Sequence, residues 1–347
     1  MLIHNDGNME DTMRPGIVCG LLALGLVGAS SRSSYAAAPH FRCRDDGTFK
    51  IVILGDPQDD AQMDPRTTML MEQILDAEKP DLVVIAGDCI AGGECKTEEQ
   101  VLQAISHVAY PMEQRKIAWA IVFGNHDQEH YPATKLGKEE VFGIYQSYPH
   151  NVNTRGSKEI HGVGNSNLLI WDYAGEHPIF CLWLIDSGDY APKRIGGYDW
   201  VHTDQVCWYY HTSSKMERRY GRKIPGLMCL HTPLCEFTEM ALNSDISGDR
   251  CEPECSAKIN SGLFAAVLDR GDVKGIFCGH HHINNYMGEW MGIKLGYVSS
   301  VGYAPYNLPD DDPRSTHSRG GRVFLINQSD PESFTTWLRF PDGSTDQ

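Results

Sequence analysis

The sequence predicts a layered α/β domain in which parallel strands are covered by helices, and three observations carry that expectation. Short apolar runs alternate with amphipathic stretches from Phe49 onward, the pattern of successive βαβ units. Several of those runs stop at a Gly or Pro turn bearing polar side chains, as at the loop edge of a parallel sheet. No repeat with a period of about 20 to 50 residues and no linker-like stretch divides the chain, so one domain is the simplest organisation.

Residues 50–54 (KIVIL) read as a strand, because a short continuous apolar run of β-branched residues suits a sheet buried on both faces. Residues 67–78 read as a helix and 82–86 (LVVIA) as a second strand. A helix over 97–114 opens with Thr97 and Gln100, spaced as a capping box. The third strand falls at 117–123, and 160–186 read as strand, turn and strand before a helix around 204–220. Apolar runs at 226–230, 273–278, 293–298 and 323–326 supply a second set of strands.

The 347 residues are 41% hydrophobic and 22% charged, too apolar for a disordered chain and sufficient for a large core. Thirty Lys and Arg against 46 Asp and Glu give a formal charge of −16, with no basic block to offset it. This argues against a nucleic-acid backbone as partner and for a small ligand. Beyond the first 40 residues nothing approaches the ~20 apolar residues needed to cross a bilayer.

Residues 16–30 (GIVCGLLALGLVGAS) form an apolar segment behind Arg14, followed by small residues around Ala36. Residues 1–36 are expected to be a cleaved signal peptide, with Met13 the more ordinary start, and 37–347 the functional domain. The expected location is therefore outside the cytoplasm, secreted or periplasmic, with an uncleaved membrane anchor as the alternative. Cleavage would leave 28 basic and 43 acidic residues, a formal charge of −15, and ten cysteines. An even cysteine number suits an oxidising compartment but specifies no pairing. Cys181, Cys229 and Cys278 lie in apolar runs and read as small buried hydrophobes.

Chemistry gathers where the strands stop. Gly55-Asp56-Pro57-Gln58 follows the first strand, Gly87-Asp88 the second and Gly124-Asn125-His126-Asp127 the third. His231 follows a later strand, and Gly279-His280-His281-His282 follows another. One such turn is commonplace; five in order, each with metal-competent side chains, predict a metal site. Phosphate-ester hydrolysis needs charge neutralised on phosphoryl oxygens and hydroxide generated near neutral pH, which two cations about 3.5 to 4 Å apart supply together. Asp88 is the candidate bridge. Asp56, His282 and the Gln58 amide oxygen would complete one ion, while Asn125, His231 and His280 would hold the other. This mixed imidazole and oxygen set suits Mn, Fe or Zn, with Mg a further option. His126 is expected to protonate the leaving group rather than bind metal, with Asp127 orienting its ring.

On these motifs the chain resembles a calcineurin-like metallophosphoesterase, whose signature runs Asp-x-His, Gly-Asp, Gly-Asn-His-Asp/Glu, His, then Gly-His-x-His. The resemblance covers residues 50–327. Gly124-Asn125-His126-Asp127-Gln128-Glu129, Gly162-Val163-Gly164-Asn165, Leu184-Ile185-Asp186-Ser187-Gly188-Asp189-Tyr190 and Gly320-Gly321-Arg322-Val323 are similar to the purple-acid-phosphatase-like branch. That branch includes probable inactive purple acid phosphatases of plants and related fungal phosphatases. The resemblance implies a four-layer αββα sandwich with two mixed β-sheets flanked by helices and a dinuclear centre at the strand ends. It further implies an exported hydrolase of phosphomonoesters or small phosphodiesters, with metal-bound hydroxide as nucleophile. The alternative is a non-catalytic binding protein retaining the scaffold.

Asn165 would line the substrate cleft by this resemblance, and His281 is a candidate phosphate contact at its rim. Two departures stand out. Gln58 occupies the position of a usual His ligand and offers only a neutral amide oxygen. After Gly87-Asp88 the chain reads Cys89-Ile90-Ala91, without the metal-binding Tyr of true purple acid phosphatases, so neither purple colour nor an obligatory ferric ion is expected.

Overall fold

The computed structural model describes residues 40–346; the signal peptide expected over 1–36 lies outside them. From the amino terminus the chain runs through strands β1 (Phe41–Arg42) and β2 (Thr48–Leu54), helix α1 (Pro65–Glu78), β3 (Leu82–Ala86), α2 (Glu98–Arg115) and β4 (Ala118–Val122). Helices α3 (Tyr131–Thr134) and α4 (Lys138–Gln146) precede β5 (Ser166–Trp171) and β6 (Pro178–Leu184), and α5 (Thr203–Tyr220) leads to β7 (Gly226–Leu230). Then come α6 (Glu236–Asn243), β8 (Ile246–Ser247), α7 (Leu263–Arg270) and β9 (Val273–Cys278). The last strands are β10 (Met287–Trp290), β11 (Ile293–Tyr297), β12 (Gly321–Asn327), β13 (Thr335–Arg339) and β14 (Thr345–Asp346).

These strands form two mixed sheets, one of six strands in the order β14-β13-β12-β2-β3-β4 and one of eight in the order β1-β5-β6-β7-β9-β11-β10-β8. Alternation along each central strand creates the layers. Ile51 and Ile53 of β2, Val84 of β3 and Val122 of β4 face Phe180, Leu182, Leu227 and Phe277 of the other sheet in the shared core. The intervening Val52, Val83 and Ile121 pack beneath α1, α2 and α4 through Leu70, Ile74, Ile105, Val108 and Phe142. On the far side, Trp183, Met228 and Ile276 meet Tyr209, Phe237 and Val267 of α5, α6 and α7. Both faces of each sheet are therefore apolar, which explains the continuous hydrophobic runs. Each fully buried Leu, Ile or Phe contributes about 1.5–3 kcal/mol by leaving water. The result is the expected αββα sandwich.

Strands 82–86, 226–230 and 273–278 occupy the predicted residues, and Thr97 and Gln100 form the capping box of α2. Helix α1 begins two residues earlier than read from the sequence because Asp64 accepts a bond from the Arg66 N–H and Pro65 takes the first helical position. Helices α4, α6 and α7 and strands β10 and β13, each next to a two-residue edge strand, had no sequence expectation. With only four to nine residues each, they show too little of their period to be read.

All ten cysteines of the described residues carry free thiols, and Cys181, Cys229 and Cys278 are buried as expected. Among the described residues no helix is long and apolar enough to cross a membrane.

Candidate metal centre

Parallel pairing fixes where the chemistry converges. In one sheet Leu54 lies opposite Ile85, and Ala86 opposite Val122, so the loops bearing Asp56, Asp88 and Asn125 leave the same edge. In the other, Leu230 lies opposite Cys278, which sets His231 beside the loop of His280 and His282. One sheet supplies carboxylates and an amide; the other supplies imidazoles. Residues 299–301 stitch the two together here, with Gly55 N–H donating to the Ser299 carbonyl at 3.1 Å and Val301 N–H to the Gly55 carbonyl at 2.9 Å.

The loops are tightly wound. Asp56, Gln58, Asp88 and His280 all have positive φ, between 37° and 73°, a conformation costing non-glycine residues of order 1–3 kcal/mol each. Gly87, at φ +84°, is required twice over, because a Cβ there would come within 2.4 Å of the His231 Nδ1.

Two clusters of ligand atoms result, Asp88 with His231 and His280, and Asp56 with Asp88 and His282. Asp88 belongs to both. The atoms of each cluster lie within 4.8 Å of one another, and all five residues are buried. His231 Nδ1 donates to the Ala86 carbonyl at 2.8 Å, which turns its Nε2 inward. Around that nitrogen stand Asp88 Oδ2 at 3.1 Å, Asn125 Oδ1 at 3.2 Å and His280 Nδ1 at 3.2 Å. Acceptor atoms crowd this closely when a cation draws them together; ligands at right angles about 2.1 Å from one ion lie about 3 Å apart. Buried Asp56 Oδ2 and Gln58 Oε1 have no hydrogen-bond partner, as two oxygens reserved for a second cation would. The residues present fit a two-metal centre.

The charges are tightly linked: burial acts to lower the His231 ring, but the Asp88 and Asp56 carboxylates outweigh it and raise it to about 9, so a cation bound there would displace its Nε2 proton. Burial pushes the His282 ring down to about 3, keeping the neutral imidazole that a metal requires. Burial also pushes Asp56 up to about 7, with the Asp88 carboxylate adding to the shift. Burial acts on Asp88 in the same sense, but the His231 imidazole outweighs it and holds Asp88 well below the usual carboxylate range.

His126 sits at the edge of this centre, half-buried, its backbone N–H donating to Asp88 Oδ1 at 2.8 Å. It lines a cavity of about 300 Å³ with Gln58 and a neighbouring one of about 320 Å³ with Asp88, His280, His281 and His282. Asp127 does not orient its ring. The Asp127 carboxylate is fully buried and accepts from the backbone N–H groups of Gly124 at 2.7 Å and Ile90 at 3.1 Å, clamping two site loops together. The partner of the His126 ring is Glu129, whose Oε2 lies 2.8 Å from Nδ1. Burial disfavours a charged His126, but Asp88 and Glu129 outweigh it and raise the ring's pKa. Glu129 stands three residues on, where the turn after Asn125 folds it back; that spacing was the available signal.

The two substrate-contact candidates lie in different places. Asn165 is buried, and its amide is consumed by the His161 carbonyl, the Asp186 N–H and the Gln205 side chain. His281 is 2% exposed; its Nε2 accepts from the Cys255 N–H at 2.9 Å and its Nδ1 faces Glu252 at 3.0 Å. Asn165 braces loops away from the cavities beside His126, whereas His281 both braces a loop and lines the cavity shared with His126. The rim is also aromatic: Tyr198 and Tyr306 line the same cavity as His126, the first edge-on to His280 and the second stacked on His282, each at 4.3 Å between centroids. Arg319, buried, holds the backbone carbonyls of His282 and Tyr306.

Two mixed sheets packed face to face, with overlapping clusters of candidate metal ligands at their common edge, define an αββα sandwich suited to binding metal. Residues 49–284 match the calcineurin-like phosphoesterase family, and the chain belongs to that family. It is 33% identical over 303 residues to probable inactive purple acid phosphatase 29 of Arabidopsis thaliana, covering 80% of this chain and 75% of that protein. It is 30% identical over 273 residues to phosphatase DCR2 of Saccharomyces cerevisiae, covering 70% of this chain and 45% of that one. A dimetal phosphatase from Danio rerio has a similar fold, with a TM-score of 0.52 and 14% identity over 83% of this chain and 98% of the other.

Proposed function

We propose that the protein hydrolyses phosphoric esters, either phosphomonoesters or small phosphodiesters, at a two-cation centre held by Asp56, Gln58, Asp88, Asn125, His231, His280 and His282. The observation that carries this reading is the sharing of Asp88 between both clusters beside a solvent-accessible imidazole. Bound Mn, Fe or Zn, or Mg, would neutralise the phosphoryl oxygens and acidify a water. His126 supplies the proton to the departing alkoxide: Glu129 takes its Nδ1, leaving Nε2 for the substrate.

Substrate charge is limited by the walls. No Lys or Arg lines the two cavities beside His126, and Asp59, Asp60, Glu94 and Glu129 border one of them. Small esters of low charge enter such a site more readily than polyanions. Residues 1–36 are proposed as an export signal, with 37–347 the phosphoesterase domain; amino-terminal sequencing of protein recovered outside the cell would reveal a start near residue 37.

A second reading, a non-catalytic protein that binds metal or a phosphorylated ligand on the same scaffold, has its own support. Three relatives carry the name probable inactive purple acid phosphatase, and Gln58 is a weaker ligand than His. DCR2, named a phosphatase, supports the enzymatic reading. Metal analysis of the unsupplemented protein, followed by assays on a chromogenic phosphomonoester and a bis-phosphodiester with Mn, Fe, Zn and Mg, separates the two. Turnover with two ions bound is expected; full metal occupancy without turnover favours the binding protein.

A further inference from the structure

The structure assigns a positioning role to Tyr190 and Glu129, which together orient a metal ligand and the leaving-group acid. This rests on the reading above in which Asn125 binds a cation and His126 donates a proton. The Asn125 amide has two ends. Its Oδ1 faces the imidazole cluster at 3.2 Å from His231 Nε2, and its Nδ2 donates to the Tyr190 hydroxyl at 3.0 Å. Turned over, the amide would present N–H groups to a cation and no lone pair.

Glu129 decides which way the amide lies. An ionised carboxylate only accepts, so the hydroxyl of Tyr190, 2.7 Å from Glu129 Oε1, must donate to it. That hydroxyl can then only accept from Asn125, which points Nδ2 outward and Oδ1 inward. The second oxygen of the same carboxylate takes Nδ1–H of His126 at 2.8 Å, so Nε2 is the nitrogen left for the cleft. One half-buried carboxylate thus sets both groups.

A short hairpin delivers the tyrosine. Ala191 N–H donates to the Gly197 carbonyl at 3.0 Å and Asp199 N–H to the Asp189 carbonyl at 3.2 Å. Lys138 ties Asp189 at 2.7 Å and Asp186 at 3.2 Å to the start of α4. Tyr190 stacks on Tyr198, whose ring stands edge-on to His280. Tyr190 is 48% exposed, so removing its hydroxyl disturbs little packing.

The test uses the full chain with Tyr190→Phe and Glu129→Ala, circular dichroism establishing that both fold. Calorimetric titration of the metal-free proteins with Mn²⁺ should show Tyr190→Phe weakening one of two sites about 10- to 100-fold, with the other unchanged. Nitrogen-15 NMR of the His126 ring should retain Nδ1–H in Tyr190→Phe and lose it in Glu129→Ala. Wild-type Mn²⁺ affinities in Tyr190→Phe, or an unaltered ring in Glu129→Ala, would overturn the assignment. Neither measurement needs turnover: an inactive wild type whose Tyr190→Phe variant loses one site keeps the positioning role and removes the hydrolase reading.

Discussion

Asp88 is the residue on which the centre turns. Its Oδ1 accepts the His126 N–H while Oδ2 faces His231, and it is the one residue common to both ligand clusters. Asp88→Asn keeps the volume but removes the charge that two cations would share. Elemental analysis of the purified variant should find both ions gone, whereas Asp56→Asn should lose one; two tightly held ions in Asp88→Asn contradict the bridge. His126 differs because it is half-exposed, belongs to neither cluster and has its ring bonded to Glu129. His126→Ala should lower kcat by roughly 10²- to 10⁴-fold at unchanged metal content. Loss of metal would make it a ligand instead.

At the scale of elements, helix α1 is fastened to its sheet by one carboxylate at its last residue. Glu78, 4% exposed, receives Lys50 of β2 at 3.1 Å and Trp337 and Arg339 of β13 at 3.1 and 2.7 Å. Glu78→Ala leaves two cations without their partner and should cost roughly 3 kcal/mol in chemical denaturation. The bridge also gives stability a sign with pH. Burial acts to raise the Glu78 pKa, but the bonds from Trp337, Arg339 and Lys50 outweigh it and hold the carboxyl below its ordinary range. A depressed folded pKa stabilises above the unfolded value of about 4.3 and loses that contribution as pH falls through the folded one. The Tm of the wild type should therefore drop on acidification below about pH 4 more steeply than that of Glu78→Gln.

For the whole molecule, the proposed metal centre would be a weld between sheets. Its oxygen ligands come from the six-stranded sheet and its imidazoles from the eight-stranded one, so cations bind the assembled sandwich far better than the unfolded chain. A ligand selective for the native state adds about 2.7 kcal/mol at one hundred times its Kd. Chelation should accordingly lower Tm, and Mn²⁺ or Zn²⁺ should restore it. An unchanged Tm would mean that these residues hold no ion that matters to the fold. The charge of −16 acts at the same scale: kcat/KM for a polyanionic ester should rise with added salt as repulsion is screened, while that for a singly charged diester stays nearly flat.

By itself the sequence determined the layers and the roster of candidate ligands. Runs such as LVVIA and GLMCL are apolar at every position because both sheet faces are covered, and each ends at a turn whose Asp, Asn or His can bind metal. Order along the chain and position after a strand suffice for that, since parallel pairing aligns strand ends without reference to side-chain detail. Tertiary structure alone decided what surrounds those ligands. Glu129, rather than Asp127, meets His126 because a tight turn folds the chain back over the ring while Asp127 is drawn inward by two backbone N–H groups. Asn165 and His281 are turned to bracing loops, and Tyr190 arrives from 65 residues away along the chain. Such partners are set by the packing of loops that carry no period, and a hydrogen bond between residues distant in sequence leaves no local trace in either of them.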